Sequence, residues 1–327
     1  MEFRFDDDQL AMRDAAMAFC ADHLDLDRVA DREGKSADSA TWSALADLGV
    51  LGMLAGGDDA GVGPVEAAIV FEALGAHLVS GPVLWSTLAA PLVDGVADGA
   101  RRAAGVTVHE EIGGPTVIEH AAESDVVIVL RADRVSCSRV EDLPALVDSS
   151  PLDPLTPLSV VASVPDGEVV GGPAEADSLR RAGTLLSAAM LVGAAQGALD
   201  VARDYALERH QFDRPIGSFQ AVKHLLADMY VRVELARAST YAAAAVAAGR
   251  GTGDVDHSVS AAKLLAGDAG LENSRSAIQI LGGMGFTWDM LPHYFLKRVW
   301  VLEEQFGTSS DHAARLGSAI GEEVVGT

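Results

Sequence analysis

The stretch from Arg209 to Gln220, RHQFDRPIGSFQ, joins two long runs of helical periodicity. On both sides of it apolar residues recur at steps of three and four, the period of an amphipathic helix. Pro215 and Gly217 are predicted to end the first helix, and Ser218 to cap the second. The fold must therefore hold two long helices joined by a tight turn. The periodic positions are Leu185, Ala188, Leu191, Val192, Ala195 and Leu199 before the turn, and Leu225, Leu226, Met229, Tyr230 and Val233 after it.

The side chains of this turn are suited to binding a ligand. Two arginines, two glutamines and an aromatic residue crowd it: Arg209, Arg214, Gln211, Gln220 and Phe212. Guanidinium groups bind phosphate through paired hydrogen bonds and stack on flat rings. The composition predicts a site for a phosphate and a planar ring. The alternative is an ordinary helix connector whose Phe212 and Phe219 fill the core, and the local pattern leaves both possibilities open.

A second stretch, Gln279 to Thr287, ends another helical run in a cluster of glycines at Gly282, Gly283 and Gly285. Glycine lets a backbone approach a ligand closely or adopt a positive φ. A simple helix C-cap is the alternative, but such a cap needs one glycine rather than three within four positions. The cluster therefore predicts a second ligand-binding turn.

Together the two stretches resemble the C-terminal domain of the acyl-CoA dehydrogenase family. That family has an Arg-x-x-Phe turn that continues to a glycine and a Phe-Gln pair, and a Gln-x-x-Gly-Gly-x-Gly turn; both are matched here. The segment 288–298 is also similar. The resemblance covers residues 178–327 well and the N-terminal region more loosely, where it includes the stretch from Phe71 to Gly75.

The fold class that the resemblance implies is mostly α with a small β-domain. The expected domains are an N-terminal helical domain over 1–100, a reduced middle β-domain over 101–176 and a C-terminal four-helix bundle over 177–327. Short β-rich runs between glycines and prolines support the middle division. Helices are predicted over 6–24, 41–48, from Pro64 to 78, from Pro82 to 92, from Asp177 or Ser178 to 207, from Asp254, from about Pro292 to 304 and from Ser309. The β-rich runs are 106–108, 117–118, 126–130 and 159–161.

Net charge, apolar runs and cysteine content limit the classes of partner and the cellular compartment that we expect. A net charge of −24 in 327 residues argues against nucleic acid and against an anionic membrane surface. No uninterrupted apolar run approaches the roughly 18 residues of a membrane helix, and the acidic start is unlike a signal peptide. The two cysteines, Cys20 and Cys137, form no disulfide framework. The expected location is the cytoplasm, and a polyanionic acyl-CoA ligand would need a site that is locally basic or lies mostly on another chain.

The cofactor that the resemblance implies is FAD, whose ADP end is bound in this family by the C-terminal domain of a neighbouring subunit. By that resemblance Arg209 pairs with the pyrophosphate, Phe212 packs beside the adenosine half, and the Gly282–Gly283 backbone passes close by. Gln220 and Gln279 would hydrogen-bond to phosphate and ribose. The full predicted set is Arg209, Gln211, Phe212, Phe219, Gln220, Gln279, Gly282 and Gly283.

Two other parts of the family's site are missing from this sequence. The family holds the isoalloxazine ring with a Thr-Glu-Pro strand and a Gly-Ser-Asp loop. Residues 101–176 contain only poor approximations, at 122–125 and 113–115. The two positions at which the family places its catalytic glutamate hold Phe306, before Gly307, and a residue near Gly183. No catalytic residue is assigned, although Glu303 and Glu304 are candidates because they lie close to Phe306.

Three interpretations remain open. In the first, this chain is the non-catalytic subunit of a hetero-oligomeric, α2β2 acyl-CoA dehydrogenase, of the type that acts on steroid side-chain CoA thioesters, and a sister subunit supplies the isoalloxazine site and the base. In the second, it is a self-sufficient dehydrogenase with a displaced base. In the third, it is a scaffold or pseudoenzyme without flavin. Glu-x-x-His pairs typical of di-iron bundles are absent from the sequence, so no metal is predicted.

Overall fold

The computed structural model describes residues 5–56, 62–108, 115–164 and 166–325. It forms two compact units, and both are discontinuous in sequence. One unit consists of Met1–Cys20, Ala68–Leu78 and Thr184–Thr327. The other consists of Ala21–Ala67 and Val79–Gly183. The predicted three-domain division at 100 and 176 stays a prediction.

The helices account for most of the described chain, as the predicted fold class requires. They are α1 Asp7–His23, α2 Ser39–Asp47, α3 Pro64–Ala76, α4 Val83–Ala89, α5 Pro173–Glu208, α6 Gln220–Ala247, α7 Val255–Leu281, α8 Pro292–Glu304 and α9 Ser309–Val325. Within the first unit α7 lies against α6, α8 and α9. The predicted helical bundle in the C-terminal part is therefore confirmed.

Several helix starts follow from their capping residues. The Asp254 carboxylate accepts a hydrogen bond from the backbone N–H of His257, as predicted, and Pro292 begins α8. The predicted start of α5 at Asp177 or Ser178 is wrong. The helix begins at Pro173, whose fixed φ suits a first helical turn, and the Glu175 carboxylate accepts the N–H of Gly172 at 2.8 Å.

The boundaries around the central turn also differ from the prediction. Helix α5 ends at Glu208, well before Pro215 and Gly217. Ser218 does not cap α6: the helix begins at Gln220, with Phe219 in the N-cap position and no side-chain cap. The reason is that Ser218 is the last residue of a 3-10 turn over 216–218 and therefore lies before the N-cap of the α-helix.

The β-strands form two small sheets in the second unit. In the first sheet, β1 (Ala103–Thr107) pairs in parallel with β3 (Val126–Leu130), which pairs antiparallel with β4 (Val135–Arg139), and β4 pairs antiparallel with β7 (Glu168–Gly171). In the second, β6 (Leu158–Val161) lies between β2 (Thr116–Glu119) and β5 (Val147–Ser149), antiparallel to both. All five residues of β3 are buried, because it is a central strand covered on both faces. The core of this region is Ala104, Ile118, Ala121, Val127, Val129 and Val161.

Helices α3 and α5 approach each other closely through glycines in the first unit. A Cβ on Gly75 of α3 would collide with the backbone of Met190, and a Cβ on Gly193 of α5 would collide with the carbonyl oxygen of Glu72. Two helix backbones can come this close only where neither carries a side chain.

Asn273, fully buried in α7, joins three helices of the same unit. Its amide nitrogen donates to the carbonyl oxygens of Ala195 in α5, at 3.2 Å, and Met229 in α6, at 3.0 Å. Its amide oxygen accepts from Arg232 at 3.3 Å. The hydrogen bond to Met229 fixes the register of α6 against α7.

Among the described residues, α5 alone is long and apolar enough to cross a membrane. Of its most apolar 18-residue window, 83% is buried inside the protein, which is the burial expected of a core helix.

Candidate functional site

The turn after α5 is a two-residue β-hairpin. Strand β8, His210–Gln211, pairs antiparallel with β9, Arg214–Pro215. The residues between them, Phe212 and Asp213, have φ values of 53° and 60°. A two-residue hairpin with positive φ at both central positions normally uses Asn-Gly, and a bulky residue in this region is strained. Such strain persists where the surrounding structure enforces it and is common at functional sites.

The hairpin holds its aromatic side chain in solvent. Phe212 is 86% exposed, so the interpretation in which it fills the core is wrong. Its ring meets the half-buried ring of Phe219 edge to face, with centroids 6.1 Å apart. The guanidinium carbon of Arg214 lies 4.1 Å above the centre of the Phe219 ring. A guanidinium can pair with phosphate and stack on a flat ring, so these side chains suit the ligand that the sequence predicts.

The base of the hairpin is anchored to the end of α5. The backbone N–H of Ile216 donates to the carbonyl oxygen of Arg209 at 2.8 Å. A Cβ on Gly217 would lie 2.9 Å from the carbonyl oxygen of Ala206, so the chain can pass here only with glycine. The side chain of Gln211 donates to the carbonyl oxygen of His210 at 2.9 Å. Arg209 is exposed, and no acidic side chain in the described ranges pairs with its guanidinium.

The glycine cluster after α7 divides into two roles. Gly285 is buried, and a Cβ there would lie 2.6 Å from the carbonyl oxygen of Ile278, so this glycine serves packing. Gly282 has a φ of 61°, and a Cβ placed on it or on Gly283 would have no neighbour within 4 Å. Gln279, one turn earlier, is exposed. The Gly282–Gly283 backbone therefore faces open space, as a ligand-contacting turn requires.

The two turns lie at the same end of the helical bundle. Helices α6 and α7 are antiparallel neighbours, and the Asn273–Met229 hydrogen bond puts those residues at one level. Gln279 lies about 9 Å further along α7, and Lys223 about 9 Å further in the same direction along α6, at a rise of about 1.5 Å per residue. The fold thus brings the hairpin, Gln220 and the glycine turn together at one end of the bundle.

A residue that the sequence reasoning missed belongs to this end. The Nε2 atoms of Gln220 and His224 lie 3.1 Å apart on the exposed surface of α6. The i, i+4 spacing of two polar residues just after the turn was the available signal, because such residues are neighbours on a helix.

The predicted base position carries no acid, and the nearby Glu303 is bonded to the start of a helix. Phe306 is buried, with a φ of 59°. The Glu303 carboxylate accepts the backbone N–H of Ser309 at 2.6 Å and so caps α9. Glu304 is exposed.

Two buried titratable side chains hold the turn that contains Phe306. Lys263 donates to the carbonyl oxygens of Leu302 and Gln305, at 2.5 and 2.8 Å, and to the hydroxyl of Ser187 at 3.2 Å. Its burial lowers its pKa to about 7, an effect that the charges of Glu303 and Glu304 partly oppose. His312 lies 3.2 Å from the carbonyl oxygen of Phe306 through Nε2 and 3.1 Å from the Ser260 hydroxyl through Nδ1.

The same burial keeps His312 neutral. Desolvation, together with the nearby charges of Arg315 and Lys263, lowers the pKa of His312 to about 4. Because a carbonyl oxygen can only accept, Nε2 carries the hydrogen and Nδ1 accepts from Ser260. This cluster therefore positions the backbone turn at Phe306.

The poor approximation to the family's flavin-ring element at 122–125 lies beside strand β3 and makes local contacts. Asp125 accepts the backbone N–H of Arg102 through Oδ2 at 2.7 Å, and the exposed Glu123 ends a 3-10 turn. Gly113 and Gly114 lie outside the described residues. Across the described ranges no group of three His, Cys, Asp or Glu side chains could hold a metal ion.

Two family models match the chain. Residues 6–98 match the acyl-CoA dehydrogenase N-terminal domain, and residues 181–320 match the acyl-CoA dehydrogenase C-terminal domain. The strands of both sheets lie in the stretch between the two matched ranges.

Relatives match over most of the chain. The acyl-CoA dehydrogenase IpdE2 of Mycobacterium tuberculosis is 28% identical over 304 residues, 90% of this chain and 91% of the relative. IpdE2 of Mycolicibacterium smegmatis is 30% identical over 258 residues, 78% of each. A chain of the ChsE4–ChsE5 complex from M. tuberculosis superposes with a TM-score of 0.82 at 22% identity, over 98% of this chain and 99% of that one. Butyryl-CoA dehydrogenase from Megasphaera elsdenii gives 0.79 at 20% identity, over 98% and 100%.

Proposed function

The chain belongs to the acyl-CoA dehydrogenase family, and on that premise we propose that it is a subunit that lends half of a flavin site to a catalytic sister subunit. The chain binds the ADP end of FAD. The sister chain supplies the pocket for the isoalloxazine ring and the carboxylate base. When bound, FAD supplies the hydride acceptor for desaturation of an acyl-CoA thioester.

The hairpin carries this proposal. The backbone holds Phe212 at positive φ and 86% exposed, at a conformational cost that a simple connector does not need. Arg209 and Arg214 stand beside it, and neither guanidinium is paired with a carboxylate in the described ranges. Arg209 is the residue expected to pair with the pyrophosphate, and such charge-assisted contacts are worth about 1.5–3 kcal/mol.

The glycine turn supports the same ligand. Gly282 and Gly283 leave a stretch of backbone without side-chain cover, at the same end of the bundle as the hairpin. We propose that a ribose or phosphate passes over this backbone and bonds to Gln279. The exposed Phe212 and the half-buried Phe219 form the wall beside the adenosine half.

The proposal of an incomplete catalytic site rests on the turn at Phe306. The α-proton of a thioester is too weakly acidic to leave unaided, and general-base assistance is worth about 10²–10⁴ in rate. Phe306 cannot act as a base. Glu303 is already bonded to the N–H of Ser309, an arrangement that supports a capping role.

The proposed partner is a complete acyl-CoA dehydrogenase chain, in an α2β2 assembly located in the cytoplasm. One similar solved structure is a chain of the ChsE4–ChsE5 complex. Another is described as a steroid acyl-CoA dehydrogenase with two named components, Tcur3481 and Tcur3483. These descriptions support a hetero-oligomer acting on a steroid side-chain CoA thioester. The division into domains at 1–100, 101–176 and 177–327 is part of the same proposal.

The test is the visible spectrum of the chain purified alone and together with a catalytic partner. The chain alone should be colourless and inactive with any acyl-CoA. The complex should be yellow, with one flavin per pair of unlike chains, because a site made of two unlike halves exists only where the complete half faces this one. One flavin per subunit in the chain purified alone would refute the proposal and favour a self-sufficient enzyme.

A further inference from the structure

We propose that Asp213 is a specificity-determining residue of the flavin half-site. Its carboxylate bonds to the free ribose hydroxyl groups of an adenosine diphosphate and disfavours a nucleotide that carries a phosphate on that ribose. The inference rests on the function proposed above, because it concerns the same hairpin. It explains how the site distinguishes FAD from coenzyme A, whose nucleotide is an ADP with a 3′-phosphate.

The charge of Asp213 is not neutralised by the protein around it. Its carboxylate is exposed and forms no hydrogen bond or ion pair with any other residue of the described ranges. Two other exposed aspartates that lie next to an arginine in sequence do pair with it: Asp133 is 3.1 Å from Arg134, and Asp204 is 2.9 Å from Arg203. The carboxylate at the tip of the hairpin is therefore left for a ligand.

The neighbouring Arg214 is the side chain that could have paired with Asp213. Its guanidinium carbon instead lies 4.1 Å above the centre of the Phe219 ring. An arginine that stacks on an aromatic ring in this way keeps its charge but directs it toward the ring. The stacking therefore separates the cation from the carboxylate of the next residue.

The hairpin holds a cation at its base and an anion at its tip. Arg209 precedes β8, and the tip residues Phe212 and Asp213 follow that strand. A strand rises about 3.3 Å per residue, so the tip lies about 10 Å from the base. A nucleotide whose pyrophosphate pairs with Arg209 and whose adenosine packs beside Phe212 would therefore bring its ribose toward Asp213.

The carboxylate selects between two kinds of ribose. A carboxylate only accepts hydrogen bonds, and the two hydroxyl groups of an unmodified ribose can donate them. A phosphate on the ribose offers acceptors and about two negative charges, so the carboxylate repels it. An exposed ring beside arginines alone would bind both nucleotides, and Asp213 is the group that favours the one with free hydroxyls.

The alternative is that Asp213 only tolerates the conformation of the turn, with its φ of 60°. Aspartate does adopt positive φ more readily than most residues. Asparagine and glycine do so as well, without a charge, and are the usual residues in two-residue hairpins. Substitution by either residue therefore keeps the turn and removes the carboxylate, which separates the two explanations.

The first experiment compares ADP with adenosine 3′-phosphate 5′-diphosphate, titrated at millimolar concentration into the full chain at about 0.15 M salt. Asp213→Asn should raise the affinity for the phosphorylated nucleotide relative to ADP about fivefold, the effect of removing one charge about 5 Å from a phosphate. Asp228→Asn is the matched control, because it removes the same charge from an exposed position about 12 Å along α6 from Gln220. It should leave the ratio of the two affinities unchanged.

The second experiment compares ADP with 2′,3′-dideoxy-ADP, which lacks both ribose hydroxyl groups. Wild-type chain should bind ADP about fivefold more tightly, the factor for one net hydrogen bond. Asp213→Gly keeps the positive φ and removes the acceptor, so it should bind the two nucleotides with nearly equal affinity.

The outcomes separate the role of Asp213 from the proposed function. An affinity ratio that Asp213→Asn leaves unchanged, or a preference for ADP over the dideoxy nucleotide that Asp213→Gly retains, would overturn the role of Asp213 and leave the half-site intact. Absence of ADP binding to wild-type chain, or binding that Arg209→Ala leaves unchanged, would overturn the proposed function and the role of Asp213 with it.

Discussion

The Nζ atom of Lys263 lies 2.8 Å from the carbonyl oxygen of Gln305 and 2.5 Å from that of Leu302. A fully buried ammonium thus satisfies two carbonyl groups that α8 leaves without partners at its carboxyl end. The helix dipole favours a cation at this end, which compensates part of the cost of burial.

Lys263→Met should lower the free energy of unfolding by about 2 kcal/mol at neutral pH, because it leaves buried carbonyl groups unpaired. Its effect on pH dependence has a definite sign. The pKa of Lys263 is about 7 in the folded state and 10.5 when unfolded, so between these values only the unfolded chain holds the proton. Stability of the wild-type chain should therefore rise from pH 7 to pH 10, by at most about 1.4 kcal/mol per unit.

Urea denaturation at pH 7 and pH 9 checks this prediction. Lys263→Met should remove the rise that this group contributes, and Lys35→Met, at an exposed lysine, should retain it. If stability of Lys263→Met rose with pH as steeply as that of the wild type, Lys263 would keep its proton in the folded state over this range.

His312→Gln should reduce the acid sensitivity of the fold. The pKa of His312 is 6.5 when unfolded and about 4 when folded. Between these pH values His312 is protonated in the unfolded chain and neutral in the folded chain. Its contribution to stability is therefore present above pH 6.5 and is lost as the pH falls toward 4. The lowered pKa values of Asp38 and Asp311 act below 3.8, outside this window. Thermal melts at pH 7.0 and 4.5 should show a smaller decrease for the variant than for the wild type.

Glu303→Gln should cost about 1 kcal/mol of stability, because it weakens the charge-assisted cap on the N–H of Ser309. Combined with Glu304→Gln, it should leave the turnover of the assembled complex nearly unchanged. A decrease of about 10³-fold or more, typical of a lost base, would place the catalytic base in this chain. Glu304→Gln alone is the matched control, since that side chain is exposed.

Arg209→Ala and Gln279→Ala should reduce the flavin that the complex retains through gel filtration, without unfolding the chain. Both side chains are exposed, so their removal takes little packing with it. Arg203→Ala, at an exposed arginine of α5 that pairs with Asp200 and Asp204, is the control and should retain full flavin. Full flavin content in both test variants would contradict the half-site, and a large drop in melting temperature would indicate a packing role instead.

Asp213→Gly should raise the free energy of unfolding by about 0.5 kcal/mol. Glycine adopts the φ of 60° seen at Asp213 without steric cost, although it also loses more chain entropy on folding. Denaturant titration measures the change. Asp228→Gly on the exposed face of α6 should be destabilising by about 1 kcal/mol, because that position is helical. A destabilised Asp213→Gly would show that the aspartate side chain itself stabilises the hairpin.

The sequence predicted the parts of the fold that depend on periodicity and strong local signals. The helices starting at Pro64 and Pro292 and the cap at Asp254 are confirmed, as is the apolar strand over 126–130. Strand β4, Val135–Arg139, was missed because its sequence, VSCSR, contains small polar residues. Two of these, Ser136 and Ser138, are nevertheless buried. The strand forms because it pairs with β3 and β7, and a short window of sequence carries no information about such pairing.

The candidate site was predictable as a set of residue types and not as a geometry. The motifs identified Arg209, Phe212 and Gln279, but their common location depends on the antiparallel register that Asn273 fixes between α6 and α7. The bond between Gln220 and His224 depends on the start of α6, which was predicted one residue too early, with Ser218 as its cap. The positive φ of Phe212 arises because strands of only two residues pair around it. Strands this short show no periodicity in the sequence.

The three separated segments of the first unit have a consequence for biosynthesis. Its N-terminal pieces, Met1–Cys20 and Ala68–Leu78, leave the ribosome long before Thr184 and the helices that follow. Glu72 and Gly75 in α3 therefore wait for Met190 and Gly193 across more than a hundred residues of chain, and contacts so distant in sequence form slowly. Until then the apolar face of α3 is exposed, and a chain truncated before α5 would keep it so. Nascent chains stalled in this interval should be the ones that chaperones hold and proteases remove.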